Sequence, residues 1–176
     1  MLERYKSWSQ MRKQAEGLLC ASLRGKITYF FTNYHDVHNV YGRAAIRLSG
    51  RELVCFSWIE RYRQERDISA FYNADPALRF DDSREKLDYI LQKQKPVWDA
   101  NCTHDDSDFI AALQAFFHLA IEDALASDDY IVKIFAIMDR RTGKRTLHRI
   151  KNAGEFAGYP DWVQTFYKLR FDADGI

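Results

Sequence analysis

Apolar side chains recur at helical spacing from Leu2 to Leu19. Tyr5, Trp8, Met11, Ala15, Leu18 and Leu19 form one stripe, and Glu3, Lys6, Lys13 and Glu16 lie off it. After Gly25 the texture changes. Lys26 to Tyr34 (KITYFFTNY), Tyr41 to Ser49 (YGRAAIRLS) and Arg51 to Ile59 (RELVCFSWI) are rich in β-branched and aromatic residues, which suit a pleated surface. Ser49-Gly50 joins the last two runs and predicts a tight hairpin turn, because glycine accepts the positive φ such turns demand. In the third run Leu53, Cys55 and Ser57 alternate with Val54, Phe56 and Trp58. Both faces carry apolar groups, so the pattern places this strand centrally or under cover on both sides. Together the runs predict a three-stranded antiparallel meander.

Glu60 to Asp82 lacks a clear period. Its opening, ERYRQERD, either extends the third strand or begins a solvated connection, and Pro76 disfavours a long helix. Ser83 caps a predicted helix over Arg84 to Lys95, which Pro96 ends. Asp105, Asp106 and Ser107 are N-cap residues for the clearest helical face in the chain, Phe109 through Phe116, Phe117 and Ala120 to Leu125. Tyr130 to Arg140 predicts a helix buried nearly all round. Thr142-Gly143 breaks it, a short basic helix follows with Leu147 and Ile150 inward, and a last helix runs from Asp161 to about Phe171. No linker, repeat or low-complexity tract divides the chain, so residues 1–176 are expected to form a single domain. The predicted fold class is α+β: an N-terminal helix, the meander, and a helical C-terminal half packed on one sheet face.

Composition narrows the class. Lys and Arg number 26 against 25 Asp and Glu, a net charge of +1, and 47% of the 176 residues are apolar. That is too apolar for disorder, and it supplies no bulk cationic charge for wrapping nucleic acid. A chain of this length buries roughly 70% of its unfolded surface, enough for one sizeable core. The charged opening MLERYKSWSQMRK is not a secretory signal, and no apolar run approaches a membrane span. Cys20, Cys55 and Cys102 are odd in number and isolated, as in a reducing compartment. A cytoplasmic, bacterial protein without a membrane segment is the expectation.

Several stretches carry a resemblance. They are Trp8-Ser9, His38 followed by Gly42-Arg43-Ala44-Ala45-Ile46, Glu122 to Ser127, the block AIMDRRTGKRTL from Ala136 to Leu147, and Pro160 to Arg170 with Phe166-Tyr167 and Leu169-Arg170. Together they resemble an uncharacterised family of small bacterial cytoplasmic proteins of unknown function. The likeness covers nearly the whole chain except Arg61 to Pro96. It implies one soluble bacterial domain and brings no activity, cofactor or catalytic residue.

The densest charge lies in DRRTGKRTLHRIK, Asp139 to Lys151. Arg140, Arg141, Lys144, Arg145, Arg149 and Lys151 face Asp139 alone, with His148 besides. Basic forks beside a Gly turn and a helix start can hold phosphate. The alternative is structural: cations at a helix C-terminus complement its dipole, and Glu122, Asp123, Asp128 and Asp129 can neutralise them. Gly143-Lys144 is not a P-loop, since the earlier glycine is missing and Arg145 stands where Ser or Thr is needed. His35 and His38 (YHDVH) have a spacing that can supply two metal ligands, with Cys102 or His104 as further donors, but in a hairpin connection such histidines are more often surface residues. Asp105, Asp106 and Asp108 are a carboxylate cluster better explained by capping. No GxSxG, dinucleotide or reactive-cysteine pattern is present, and no cofactor is implied.

Aromatics are plentiful, and Tyr34, Tyr41, Trp58 and Tyr62 gather in the strand half, where exposed Tyr and Trp beside Arg make protein-binding hot spots. The leading functional expectation is therefore a non-enzymatic module that binds another protein, a format shared with small immunity-like neutralisers of toxins. The alternative is a nucleic-acid, nucleotide or phosphate binder through the basic 140–151 segment, and a third is a metal-dependent hydrolase through His35 and His38.

Overall fold

A computed structural model describes residues 7–35, 40–63 and 84–176. Tyr5, His38 and Pro76 lie outside the described residues, as do the side chains of Tyr34, His35 and Tyr41. Helix α1 (Trp8–Leu18) starts where the Gln10 side chain accepts the Ser7 N–H at 2.9 Å, and it turns Met11 and Ala15 inward. Strands β1 (Ile27–His35), β2 (Val40–Leu48) and β3 (Arg51–Ser57) follow as an antiparallel meander in the order β1-β2-β3. The β2–β3 turn is the two-residue Ser49-Gly50 link, with φ of 50° and 86°. Both values are positive, which matches the right-handed twist of the flanking strands.

Of the two placements the pattern allowed for β3, the covered one fits: β3 is at the edge of the sheet formed by the described residues, and Cys55 and Ser57 are half-buried on the face away from Val54 and Phe56. Apolar alternation reports cover, and cover on a three-stranded sheet also comes from flanking long side chains. On that second face Glu52 binds Arg43 and Arg47, and the Arg47 guanidinium lies 4.2 Å over the Phe30 ring.

A helical turn at 58–63 follows β3. The remaining helices are α2 (Arg84–Asn101), α3 (Asp106–His118), α4 (Ile121–Ala126), α5 (Tyr130–Met138), α6 (Lys144–Ala153) and α7 (Asp161–Asp174), with a 3₁₀ turn at Glu155–Gly158. Two predicted helices change. Pro96 does not end α2, which continues through it to Asn101. A mid-helix proline costs a backbone bond, and here the turn beyond it is held by tertiary contacts: Trp98 is buried, and Trp162 Nε1 donates to the Asp99 carbonyl at 2.7 Å. The long apolar face after Asp105 is two helices, because Leu119 and Ala120 are extended (ψ 144° and 152°) between α3 and α4.

Helix α5 is the centre of the molecule. Every residue from Ile131 to Met138 is buried, and α5 packs on α3, α4 and α7. Lys133, the one cation within it, sends Nζ to the Leu125 carbonyl at 3.1 Å. Rings from sheet and helices meet above it: Phe56 and Phe135 both touch Phe109, with centroids 5.3 and 5.6 Å away, and Tyr29 meets Phe135 at 5.6 Å. The aromatic surplus is thus mostly core. Among the described residues Tyr62 is the one exposed aromatic side chain.

Candidate functional site

Two regions gather charged side chains, a cleft and a basic helix face. The cleft, about 670 Å³, lies between the turn at 58–63, the C-terminal half of α2, the start of α3 and the α4–α5 connection. Its charged groups are built from local rules upward. Asp105 caps α3, its Oδ1 accepting the N–H groups of Ser107 (2.9 Å) and Asp108 (3.0 Å), while Asp108 accepts the Asp105 N–H at 3.1 Å. That reciprocal box satisfies helix donors that would otherwise be orphaned. It also aims both carboxylates at one cation: Arg61 Nη1 lies 3.1 Å from Asp105 and 2.8 Å from Asp108. The Arg61 guanidinium in turn sits 4.8 Å over the Trp98 ring.

His104 stands between two acids. Its Nδ1 is 3.6 Å from Asp108, and its buried Nε2 approaches Asp99 at 3.3 Å without the alignment of a hydrogen bond. Asp99 also holds Lys95 at 2.8 Å, which raises the lysine's pKa. Burial alone would raise the Asp108 pKa, but His104, the Asp105 N–H and Arg61 together outweigh it and hold the carboxyl below its ordinary value. Asp106 behaves oppositely: burial, helped by Asp105 and Asp108, pushes its pKa up. Its carboxylate lies against the backbone of Gly42 on β2, where a Cβ would overlap it. Trp98 Nε1 is buried without an acceptor among the described residues. A second groove of about 530 Å³ shares Lys95, Asp99 and Tyr130 and extends to Tyr159 and Pro160.

No Ser, Thr or Cys is among the described residues lining the cleft, and Tyr130 brings its one hydroxyl among them. Its charges are largely spent on one another. Acids still predominate on its wall, with Asp128 and Asp129 added from the α4–α5 connection; Asp129 caps α5 through Ile131 N at 2.7 Å.

The basic segment is the reverse case. Asp139 is 1% exposed and binds Arg141 through both the backbone N (2.6 Å) and the guanidinium (2.9 Å). Arg140, Lys144, Arg145 and Arg149 are exposed and have no carboxylate within 4.0 Å among the described residues. Glu122 and Asp123 are exposed on α4 and Asp128 and Asp129 line the cleft, and among the described residues none of the four lies within 4.0 Å of a cation of the basic segment. Lys151 reaches the Ile176 carbonyl at 2.7 Å.

Of the aromatic candidates, Trp58 and Tyr62 stack face to face with centroids 5.1 Å apart. Tyr34 and Tyr41 are register partners across β1 and β2. The proposed metal pair cannot be placed, since His38 and the His35 side chain lie outside the described residues. Cys102 is half-buried with its pKa pushed up to about 12 by burial and, secondarily, by Cys55, and His104 stands between Asp99 and Asp108. Among the described residues no group of three or more His, Cys, Asp and Glu could hold a metal ion. Sequence reasoning missed the cleft itself. The spacing of His104 and Asp108 by four residues was its one local trace; Arg61, Trp98 and Asp99 come from segments with no shared pattern.

A model of the SF0329 protein family matches residues 7–171, and the chain belongs to that family, one of unknown function. No curated protein and no solved structure matches it. No helix among the described residues is long and apolar enough to cross a membrane.

Proposed function

We propose that this member of the SF0329 family is a non-enzymatic binding module that recognises another protein at the rim of the cleft. One observation carries this. The three large hydrophobic side chains exposed among the described residues, Ile59, Tyr62 and Val97, all lie on the two segments that wall the cleft, the turn at 58–63 and α2. Exposed apolar groups gathered beside a cleft are what a partner covers. A stacked Trp58–Tyr62 pair next to Arg61 has the residue types that dominate interface energetics. The acidic excess within the cleft selects a partner segment that presents Lys or Arg. Three free cysteines fit a reducing bacterial cytoplasm. One core cluster drawing on the sheet and most of the helices supports a single domain.

The test is co-purification from the native host, followed by titration of the purified partner. The double substitution I59D/Y62D is expected to weaken binding roughly 30-fold or more, the scale of losing one hot spot. Unchanged affinity in that variant, or a partnerless protein that hydrolyses phosphoesters, refutes the proposal.

A further inference from the structure

The basic face of α6 is a second, separate surface, and we infer that it binds the phosphodiester backbone of a nucleic-acid duplex. Leu147 is fully buried and Ile150 half-buried, which turns Arg145, His148 and Arg149 outward with Lys144 on their flank; Arg140, in the turn before the helix, is exposed as well. Arg145 and Arg149 are four residues apart, about 6 Å along the helix axis. A duplex presents one charge per about 1.7 Å of its axis, so such a row meets several phosphates at once. The decisive feature is contrast within one molecule. Cations in the cleft are held by aspartates, and Arg141 is held by Asp139, yet Arg140, Lys144, Arg145 and Arg149 have no carboxylate within 4.0 Å among the described residues. No acidic residue occurs anywhere in Lys144–Ala153.

The surroundings select the kind of polyanion. Binding in a lipid interface needs an apolar helix face to insert, and here that face is occupied by the core. Single-strand binding uses exposed aromatic rings for stacking, and the one exposed aromatic among the described residues, Tyr62, lies on the 58–63 turn. What remains is charge on a rigid helix, which contacts backbone and not base edges. The net charge of +1 is no obstacle, because the field that matters is local.

The experiment is fluorescence anisotropy of the full chain with a labelled 20-base-pair DNA duplex of arbitrary sequence, alongside phosphatidylserine vesicles. Four phosphate contacts predict that affinity falls about 150-fold between 50 and 200 mM salt. R145A/R149A removes two contacts and reduces that to about 12-fold, with the thermal melt unchanged because both side chains are exposed. I59D/Y62D leaves DNA binding intact. Absence of binding at 50 mM salt, a salt dependence unaffected by R145A/R149A, or tighter binding to vesicles than to DNA each overturns the inference.

Discussion

Arg170 offers the sharpest test of how the basic segment is held in place. It is 3% exposed on α7, and its Nη2 donates to the Thr142 carbonyl at 2.9 Å while Nη1 reaches the Met138 carbonyl at 3.4 Å. It therefore ties the last helix to the end of α5 and to the turn that launches α6. Its ion-pair partner Asp174, at 3.2 Å, also accepts the Ser22 hydroxyl at 2.6 Å. Arg170→Met keeps the aliphatic bulk and removes the donors. Losing one member of a buried pair costs about 3–5 kcal/mol. Two facts lower that figure: Asp174 retains Ser22, and Arg170 Nε is already buried without an acceptor, a penalty that methionine relieves. The expected loss is about 2–3 kcal/mol. For a chain of this size that is a fall in Tm of roughly 5–10 °C. Urea titration followed by far-UV circular dichroism reads the difference directly. R170M/D174N is expected to recover about 1 kcal/mol relative to R170M, since it leaves no unpaired carboxylate. A single variant within about 0.5 kcal/mol of the parent, the range of ordinary surface changes, refutes the reasoning.

Two further predictions concern the start of α3. Gly42→Ala places a methyl where the Asp106 carboxylate lies, so thermal denaturation should show a loss of about 1–3 kcal/mol, and G42A/D106A should regain most of it. The two neighbouring carboxyls should respond to pH with opposite sign. The folded pKa of Asp108 lies below its ordinary value, so its contribution is present above about pH 4 and is lost as the pH falls through the lowered value. The folded pKa of Asp106 is raised, so its ionised form destabilises the fold above that value. Asp106→Asn should therefore be the more stable protein at pH 7, and the gap should close as the pH drops through the raised pKa toward about 4. Urea midpoints measured across pH 3–8 test both, and an Asp106→Asn gap that persists at pH 3 contradicts the assignment.

Local signals served well where local physics decides. The Ser49-Gly50 turn, the Asp105 cap, the buried Ile131–Met138 helix and the inward Leu147 of the basic helix were all readable from residue type and spacing. They failed where a distant segment sets the outcome. Pro96 reads as a terminator, but Trp162, far away in sequence, stabilises the helix beyond it. Leu119 and Ala120 continue an apolar period, yet the chain bends there so that α4 can pack on α5. Arg61 sits in a stretch with no clear period, and what it binds is visible only once α3 stands beside it.

Charge shows the division most clearly. The amino-acid sequence by itself determined that a net +1 conceals a run of cations after Asp139, that a short basic helix there turns Leu147 and Ile150 inward, and that an acidic set exists to oppose the cations. It could not determine which charges meet. Periodicity is a property of neighbours three or four residues apart, whereas ion pairing depends on separations of a few ångströms between segments brought together by the core. The tertiary structure decided that question in two ways. It spent Asp105, Asp108 and Asp99 on Arg61, His104 and Lys95, and Asp139 on Arg141. It left Lys144, Arg145 and Arg149 facing solvent on the outer side of α6, and Arg140 exposed in the turn before it.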